Sequence, residues 1–419
     1  MDMTVSVWGA ISALIIAIVL ILKRVPPAYG MVAGALIGGL IGGVNITNTV
    51  TLMMEGAQDI ISAVLRIMAA GVLAGVLIES GAASSIAKTI VKKLGEKRAL
   101  LALALATTIL TAVGVFVDVA VIPIALAIAK RANLSKTAIL LAMIGGGKAG
   151  NIMSPNPNAI AAADAFKVPL TSVMVAGVIP AVFGLVITYI LAKKLANKGS
   201  FVESKEIEMK DNAKAPIFIT ALVAPIVTII LLALRPLFGI NIDPMIALPI
   251  GGIVGAIAMR KSKYINAYAI SGLNKMSGVA IMLLGTGTLA GIIANSELKD
   301  VVTQALSASG LPPYLLAPAS GIFMSAATAS TTAGTAVAST VFSSTILGLG
   351  VSAVAGAAMV QAGATVLDHL PHGSFFHSTA GSVNMNMKER LKLMPYESLI
   401  GLTLAIVSTL IFGVFKLFG

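Results

Sequence analysis

The chain has no cysteine, three histidines, one tryptophan and only 11% charged residues in 419 positions. Without cysteine there is no disulfide framework and no thiolate metal site, and the redox state of the compartment leaves no mark. So little charge beside 57% hydrophobic residues and a mean hydropathy of +0.98 excludes a water-soluble domain of this length. A β-barrel is excluded as well, because the apolar runs greatly exceed the roughly ten residues of a barrel strand and do not alternate. What remains is an all-α polytopic membrane protein, whose 41 glycines let helices approach closely in lipid.

Acidic residues are also scarce, 17 against 29 Lys and Arg, for a net charge of +12. In a soluble chain that balance would suggest nucleic acid. Here it is the excess expected of cytoplasmic loops against anionic lipid, so the bilayer is the expected partner and nucleic acid is not. The first apolar run, Val5 to Leu22, has no basic residue before it and Lys23-Arg24 directly after it. That order predicts a span with its N-terminus outside rather than a cleaved signal peptide.

Two stretches interrupt the apolar pattern at corresponding places. One is Lys148 to Asn158, with Pro155 and Pro157; the other is Gln361 to His372, with Pro371. Paired interruptions of this kind point to the substrate site of a secondary transporter, because freed backbone groups in hydrocarbon are tolerated only around a cavity. Gly71 to Ser80 also resembles Gly287 to Ser296 at an offset of 216 residues, and Pro27 with its Gly-rich span resembles Pro244 and its span. Residues 1–195 and 215–419 are therefore read as two repeats, joined by a polar linker, 196–214.

Within each repeat one segment is too long for a simple span. Ala99 to Ala129 has 31 residues, about 46 Å of helix against a hydrocarbon core of about 30 Å. It and its counterpart, about Pro313 to Leu347, are expected to be re-entrant hairpins with polar tips near Asp118 and near Thr328 to Thr335. Each repeat then has five transmembrane crossings, one of them a broken helix, plus one hairpin. An odd number of crossings inverts the second repeat relative to the first. With the N-terminus outside, 23 of the 29 basic residues, Arg390 among them, fall on the cytoplasmic side, as the positive-inside rule requires. Both termini are then outside, and Asn45 to Asp59, with Glu55 and Asp59, is an external loop.

Ionisable groups at membrane depth are costly and mark function by default. Lys148 suits an anionic substrate, with a structural tether to carbonyls or to Asp118 as the alternative. Asp118 could carry a coupling proton or help hold Na⁺, or pair with Lys148 or Arg66. Arg66, two turns into its span, reads as a snorkelling side chain. All three histidines, His369, His372 and His377, cluster with Asp368 at the second break, where proton coupling is expected. A zinc site is disfavoured because no HExxH pair or cysteine accompanies them. Asn151, Ser154, Asn156 and Asn158 in the first break offer donors to carboxylates and hydroxyls, as do Thr331, Thr332 and Thr335 in the second hairpin. His372 and Ser374 beside the second break complete the expected substrate set. Asp118, Asp368 and His369 are the ion-coupling set. No metal or organic cofactor is expected beyond the coupling H⁺ or Na⁺.

Ser154-Pro155-Asn156-Pro157-Asn158 and the small-residue segment Ala159 to Ala163, with the stretch from Asp368 through Asn384 and Lys388 to Lys392, resemble the gluconate:proton symporter (gluconate permease-like) family of the ion transporter superfamily. The resemblance spans nearly the whole chain. Ser-Pro-Asn-Pro and Asp-His-Leu-Pro stand where better-studied members carry His-Pro-Gly-Pro and Ser-His-Val-Asn-Asp types, which leaves an organic anion expected without fixing it as gluconate. It implies a homodimer in the inner membrane, with a fixed scaffold and a transport unit moving as an elevator. The expected function is import of a small sugar acid or hydroxy-carboxylate with H⁺ or Na⁺, not catalysis. A Na⁺/H⁺ exchanger, with the buried carboxylates as its ion site, is the alternative.

Overall fold

The computed structural model describes residues 4–112, 121–203, 215–298, 300, 301, 304, 308, 310–371 and 373–417. The first half contains α1 (Val7–Leu22), α2 (Pro27–Ile41), α3 (Ile46–Asp59), α4 (Ile61–Glu79), α5 (Ala82–Leu94) and α6 (Ala99–Ala112). It continues with α7 (Ile122–Arg131), α8 (Lys136–Asn151), α9 (Pro157–Ala165), α10 (Leu170–Ala176) and α11 (Val178–Lys194). The second half contains α12 (Phe218–Ala221), α13 (Val223–Phe238), α14 (Pro244–Ala258), α15 (Ile265–Ala294) and α16 (Leu316–Thr328). It ends with α17 (Thr331–Gly348), α18 (Ala353–Gly363), α19 (Ser374–Ser382) and α20 (Met387–Thr409), which runs into a π turn, Leu410–Val414.

Five helical stretches among the described residues are long and apolar enough to cross a membrane: Ile61–Glu79, Leu170–Lys194, Phe218–Phe238, Ser262–Ala294 and Met387–Val414. On α13 the large side chains Ile226, Ile229 and Ile230 point outward, while Ala224, Thr228 and Leu232 are buried. That is the inverse of a soluble helix, and it fits a lipid-facing surface with small residues at the helix contacts.

The packing separates into two groups. In the first, α1 lies on α2, α15 lies on α2, α3 and α4, and α14 lies on α4 and α13. Glycines set these crossings: a Cβ at Gly75 would lie 2.1 Å from the Tyr268 carbonyl, and one at Gly291 would lie 2.1 Å from the Leu52 carbonyl. In the second group α8 packs on α6, α11 and α20, and α16 packs on α17 and α18. The groups meet where α17 lies against α15 and α9 lies against α4.

Both expected breaks are present, between α8 and α9 and between α18 and α19. The second hairpin is present too: α16 and α17 pack together around Ala329, which holds a left-handed φ of 46°. The expected tip of the first hairpin, Val113 to Asp118, lies outside the described residues, flanked by α6 and α7.

One of these expectations needs correction. Asn45 to Asp59 is not a loop but the cap and body of α3, with Thr49, Leu52, Met53 and Gly56 buried and Glu55 and Asp59 exposed. The 3–4 spacing of those four buried residues is a helical face, which the acidic residues had masked. Arg390, one of the basic residues expected on the cytoplasmic side, is fully buried within the protein. The described part of the linker, 196–203, is fastened to the helices: the Ser135 amide donates to the Ala196 carbonyl, and the Ser200 hydroxyl donates to Glu389 at 2.7 Å.

Candidate functional site where the two breaks meet

The first break follows from its own sequence. Two prolines, at 155 and 157, remove two helical donors, and α8 ends at Asn151. Asn156 then caps α9, its Oδ1 accepting from the Ala159 amide at 3.0 Å. Its Nδ2 donates to the Asn151 carbonyl at 2.6 Å, to the Asn151 side chain and to Ser154 Oγ at 2.6 Å. Asn151, Ser154 and Asn156 thus satisfy largely one another. The second break is held from elsewhere. Gln361, just before it, donates from Nε2 to the Ile152 carbonyl of the first break at 2.8 Å.

Lys148 and Asp368 stand 220 positions apart and form a buried ion pair, with side chains 4% and 7% exposed. The Lys148 ammonium also donates to the Thr365 carbonyl and lies 3.5 Å from His369 Nδ1. The other Asp368 oxygen accepts from the Thr331 hydroxyl at the hairpin tip. Next to it, Thr332 donates to Asn158 Oδ1 at 2.9 Å, so the hairpin touches both breaks at once. Gly373 makes room for this, because a Cβ there would fall 2.5 Å from the Ala329 Cβ. Beyond these contacts, Asn158 Nδ2 and the hydroxyls of Thr335 and Ser339 are buried without a hydrogen-bond partner. Leaving such groups unpaired costs about 1–3 kcal/mol each, which a polar ligand could offset.

His369 lies behind the ion pair and is wholly buried. Its Nδ1 is 3.1 Å from Asp368 Oδ1 and 3.9 Å from Glu397 Oε2. Its Nε2 is 3.1 Å from both the Met394 carbonyl and the Ser398 hydroxyl. Glu397 is paired in turn, through both carboxylate oxygens, with Arg390. That guanidinium donates from Nε to the Phe376 carbonyl at 3.2 Å and lies 4.6 Å from the Phe376 ring centroid. Glu397 and Arg390 were absent from the expected site, and Gln361 and Thr365, though inside the second break, were not singled out. The one available signal was a Glu inside an apolar helix, seven residues after an Arg.

The other expected residues divide. His377 hydrogen-bonds the Pro371 carbonyl at 2.8 Å, a contact to broken-helix backbone. Ser374 is exposed at the first residue of α19, outside the hydrogen bonds of the charged pair. Asp118 and His372 lie outside the described residues. No group of three or more His, Asp or Glu side chains suited to a metal occurs among the described residues.

A second charged cluster joins the two packing groups. Arg66 on α4 is partly exposed and holds its charge in ion pairs. It pairs with Asp164 of α9 and, at 2.8 Å, with Asp243, the N-cap of α14. Ser62 adds a hydrogen bond to Asp164 at 2.6 Å. Burial raises the Asp243 pKa, but the hydrogen bonds from Arg66 and the Met245 amide, with the Arg66 charge, hold it below the ordinary carboxylate value. The cluster borders a small open cleft lined by Arg66, Ile160, Ala163, Arg235, Asn241 and Asp243.

Helices broken at facing points, with charge gathered between them, define a membrane transporter, and comparison with known proteins agrees. The model of the GntP family permeases matches residues 3–415, and the chain belongs to that family. It is 71% identical over 416 residues to an uncharacterized transporter of Haemophilus influenzae, covering 99% of both chains. It is 28% identical over 204 residues to the inner membrane permease YgbN of Escherichia coli, covering 47% of this chain and 44% of that one. Among solved structures, the YdaH transporter of Alcanivorax borkumensis matches with a TM-score of 0.67 at 16% identity, over 89% of this chain and 90% of that one. MtrF of Neisseria gonorrhoeae, from a class of antimetabolite efflux pumps, matches with a TM-score of 0.64 at 17% identity, over 89% and 84%. These last two similarities concern the fold. The chain is a multi-pass membrane transporter.

Proposed function

We propose that the protein imports a small hydroxylated carboxylate across the inner membrane, coupled to H⁺ or Na⁺. The observation that carries this reading is the junction of the breaks: the Lys148–Asp368 pair beside the unpaired Asn158 Nδ2 and Thr335 hydroxyl. An anion contributes a carboxylate for the ammonium and hydroxyls for the unpaired groups. The helix end at Pro157 adds its positive dipole.

The same reading takes the halves as inverted repeats of five crossings and a hairpin, both termini outside, the chain working as a homodimer. Reciprocal glycine contacts support the repeat: Gly75 of the first half packs on α15 of the second, and Gly291 on α15 packs on α3 of the first. The two packing groups then correspond to a framework and a moving unit of elevator type, with Arg66–Asp164 as a contact between them. The cleft beside Arg66 and Arg235 is the external approach for an anion, since positive charge in a cleft raises the local anion concentration.

The test is uptake by proteoliposomes over D-gluconate, smaller hydroxy-carboxylates and amino acids, with pH and Na⁺ gradients imposed separately. Accumulation of a carboxylate under one gradient is the expected result. Cation exchange in the absence of any organic anion would select a Na⁺/H⁺ exchanger instead.

A further inference from the structure

The charges packed around His369 come from three places: Lys148 from α8, Asp368 from the second break, and Glu397 with Arg390 from α20. With a neutral imidazole these four side chains carry no net charge. The hairpin contributes the uncharged Thr331 hydroxyl to Asp368, and α20 contributes Ser398 and the Met394 carbonyl.

The imidazole itself is oriented for one proton movement. A carbonyl oxygen can only accept, so Nε2, 3.1 Å from the Met394 carbonyl, keeps its hydrogen whether the ring is neutral or charged. The titrating atom is therefore Nδ1. Neutral, Nδ1 accepts from the Lys148 ammonium at 3.5 Å; protonated, it donates to Asp368 Oδ1 at 3.1 Å and faces Glu397 Oε2 at 3.9 Å. Two carboxylates thus await a proton at an atom that touches the anion-binding lysine.

Resting on the organic-anion reading, we infer that His369 Nδ1 is the proton-carrying atom of the transport cycle and that Glu397, held by Arg390, positions and balances it. A carboxylate bound at Lys148 leaves the buried cluster one negative charge in excess, and an unbalanced charge in a low-dielectric interior is costly. One proton on Nδ1 restores balance. Each ligand therefore binds better when the other is present, and by linkage the effect is mutual. The step makes one N–H bond at Nδ1, with the proton taken from the aqueous side that the site faces. Release to the other side breaks that bond and frees the anion.

The experiment uses the full-length protein in proteoliposomes with a radiolabelled monocarboxylate, D-gluconate first and then others of the panel. Wild-type protein is expected to exchange internal for external anion, and to accumulate it about tenfold for each unit of imposed pH difference, independently of membrane potential. His369→Gln, checked for insertion and fold by its melting curve, is expected to lose pH-driven accumulation, its ratio falling to about one. Arg390→Gln with Glu397→Gln removes the second pair without stranding either charge. It is expected to change the pH profile of driven uptake while His369 stays in place, since a carboxylate facing Nδ1 is gone. Accumulation that survives in His369→Gln, responds to membrane potential or follows Na⁺ alone overturns the proton assignment while leaving the anion reading intact. Failure of wild-type protein to exchange any anion overturns the anion reading and the assignment with it.

Discussion

The two breaks solve the same backbone problem with different resources. In the first, the groups released by Pro155 and Pro157 are met within a few residues by Asn151, Ser154 and Asn156. The second gathers partners from across the chain: Lys148 from α8, Thr331 from the hairpin tip, Met394 and Ser398 from α20. A break closed by its neighbours is a rigid element. One closed by distant charges depends on how the surrounding helices sit, so its stability and its occupancy are linked. On the proposed function, the contrast puts the anion-facing donors on the rigid side and the proton-carrying group on the adjustable side.

The largest break in this contrast comes from Lys148→Ala. It leaves Asp368 buried without its cation, and a loss of about 3–5 kcal/mol in stability is expected, seen as a lowered unfolding midpoint in detergent. Lys148→Ala with Asp368→Ala should be less damaging than Lys148→Ala alone; equal damage would show that the pair is not the source of the effect. In the first break, Asn156→Ala removes a helix cap and its local bonds, for about 1–2 kcal/mol, with the pH dependence of transport unaltered. A changed pH dependence there would contradict the separation of the two breaks.

The smallest effect belongs to the Arg66 cluster, which is partly exposed and lies outside both breaks. Asp243 has its pKa lowered in the folded chain, so its contribution is present above the ordinary carboxylate value of about 3.9 and is lost as pH falls through the lowered value. Asp243→Asn is therefore expected to lower stability by less than about 1 kcal/mol near neutral pH and to make no difference in strong acid. Melting curves of both proteins across that range check the sign.

Much of the site was visible as interruption. Prolines, amides and isolated charges stand out in an apolar chain, which is why Lys148, Asn156, Asn158, Asp368 and His369 were legible one by one. Their pairing was not. Lys148 was weighed against Asp118 as its anchor, yet its partner is Asp368, and sequence separation carries no sign of that contact. Arg390 and Glu397 were hidden because only tertiary packing buries them against each other and His369. The α3 helix escaped because its acidic residues suggested a loop, although its buried face repeats at helical spacing.

By itself the sequence determined that this chain lives in a membrane as helices and that two of those helices break, because hydropathy and proline chemistry act locally and require no partner. Only the tertiary structure decided which charge neutralises which, that the hairpin tip seats on both breaks, and that one histidine faces two carboxylates. Those depend on packing between residues some 220 positions apart, where Coulomb energy in a low-dielectric interior is set by distance in space and not along the chain.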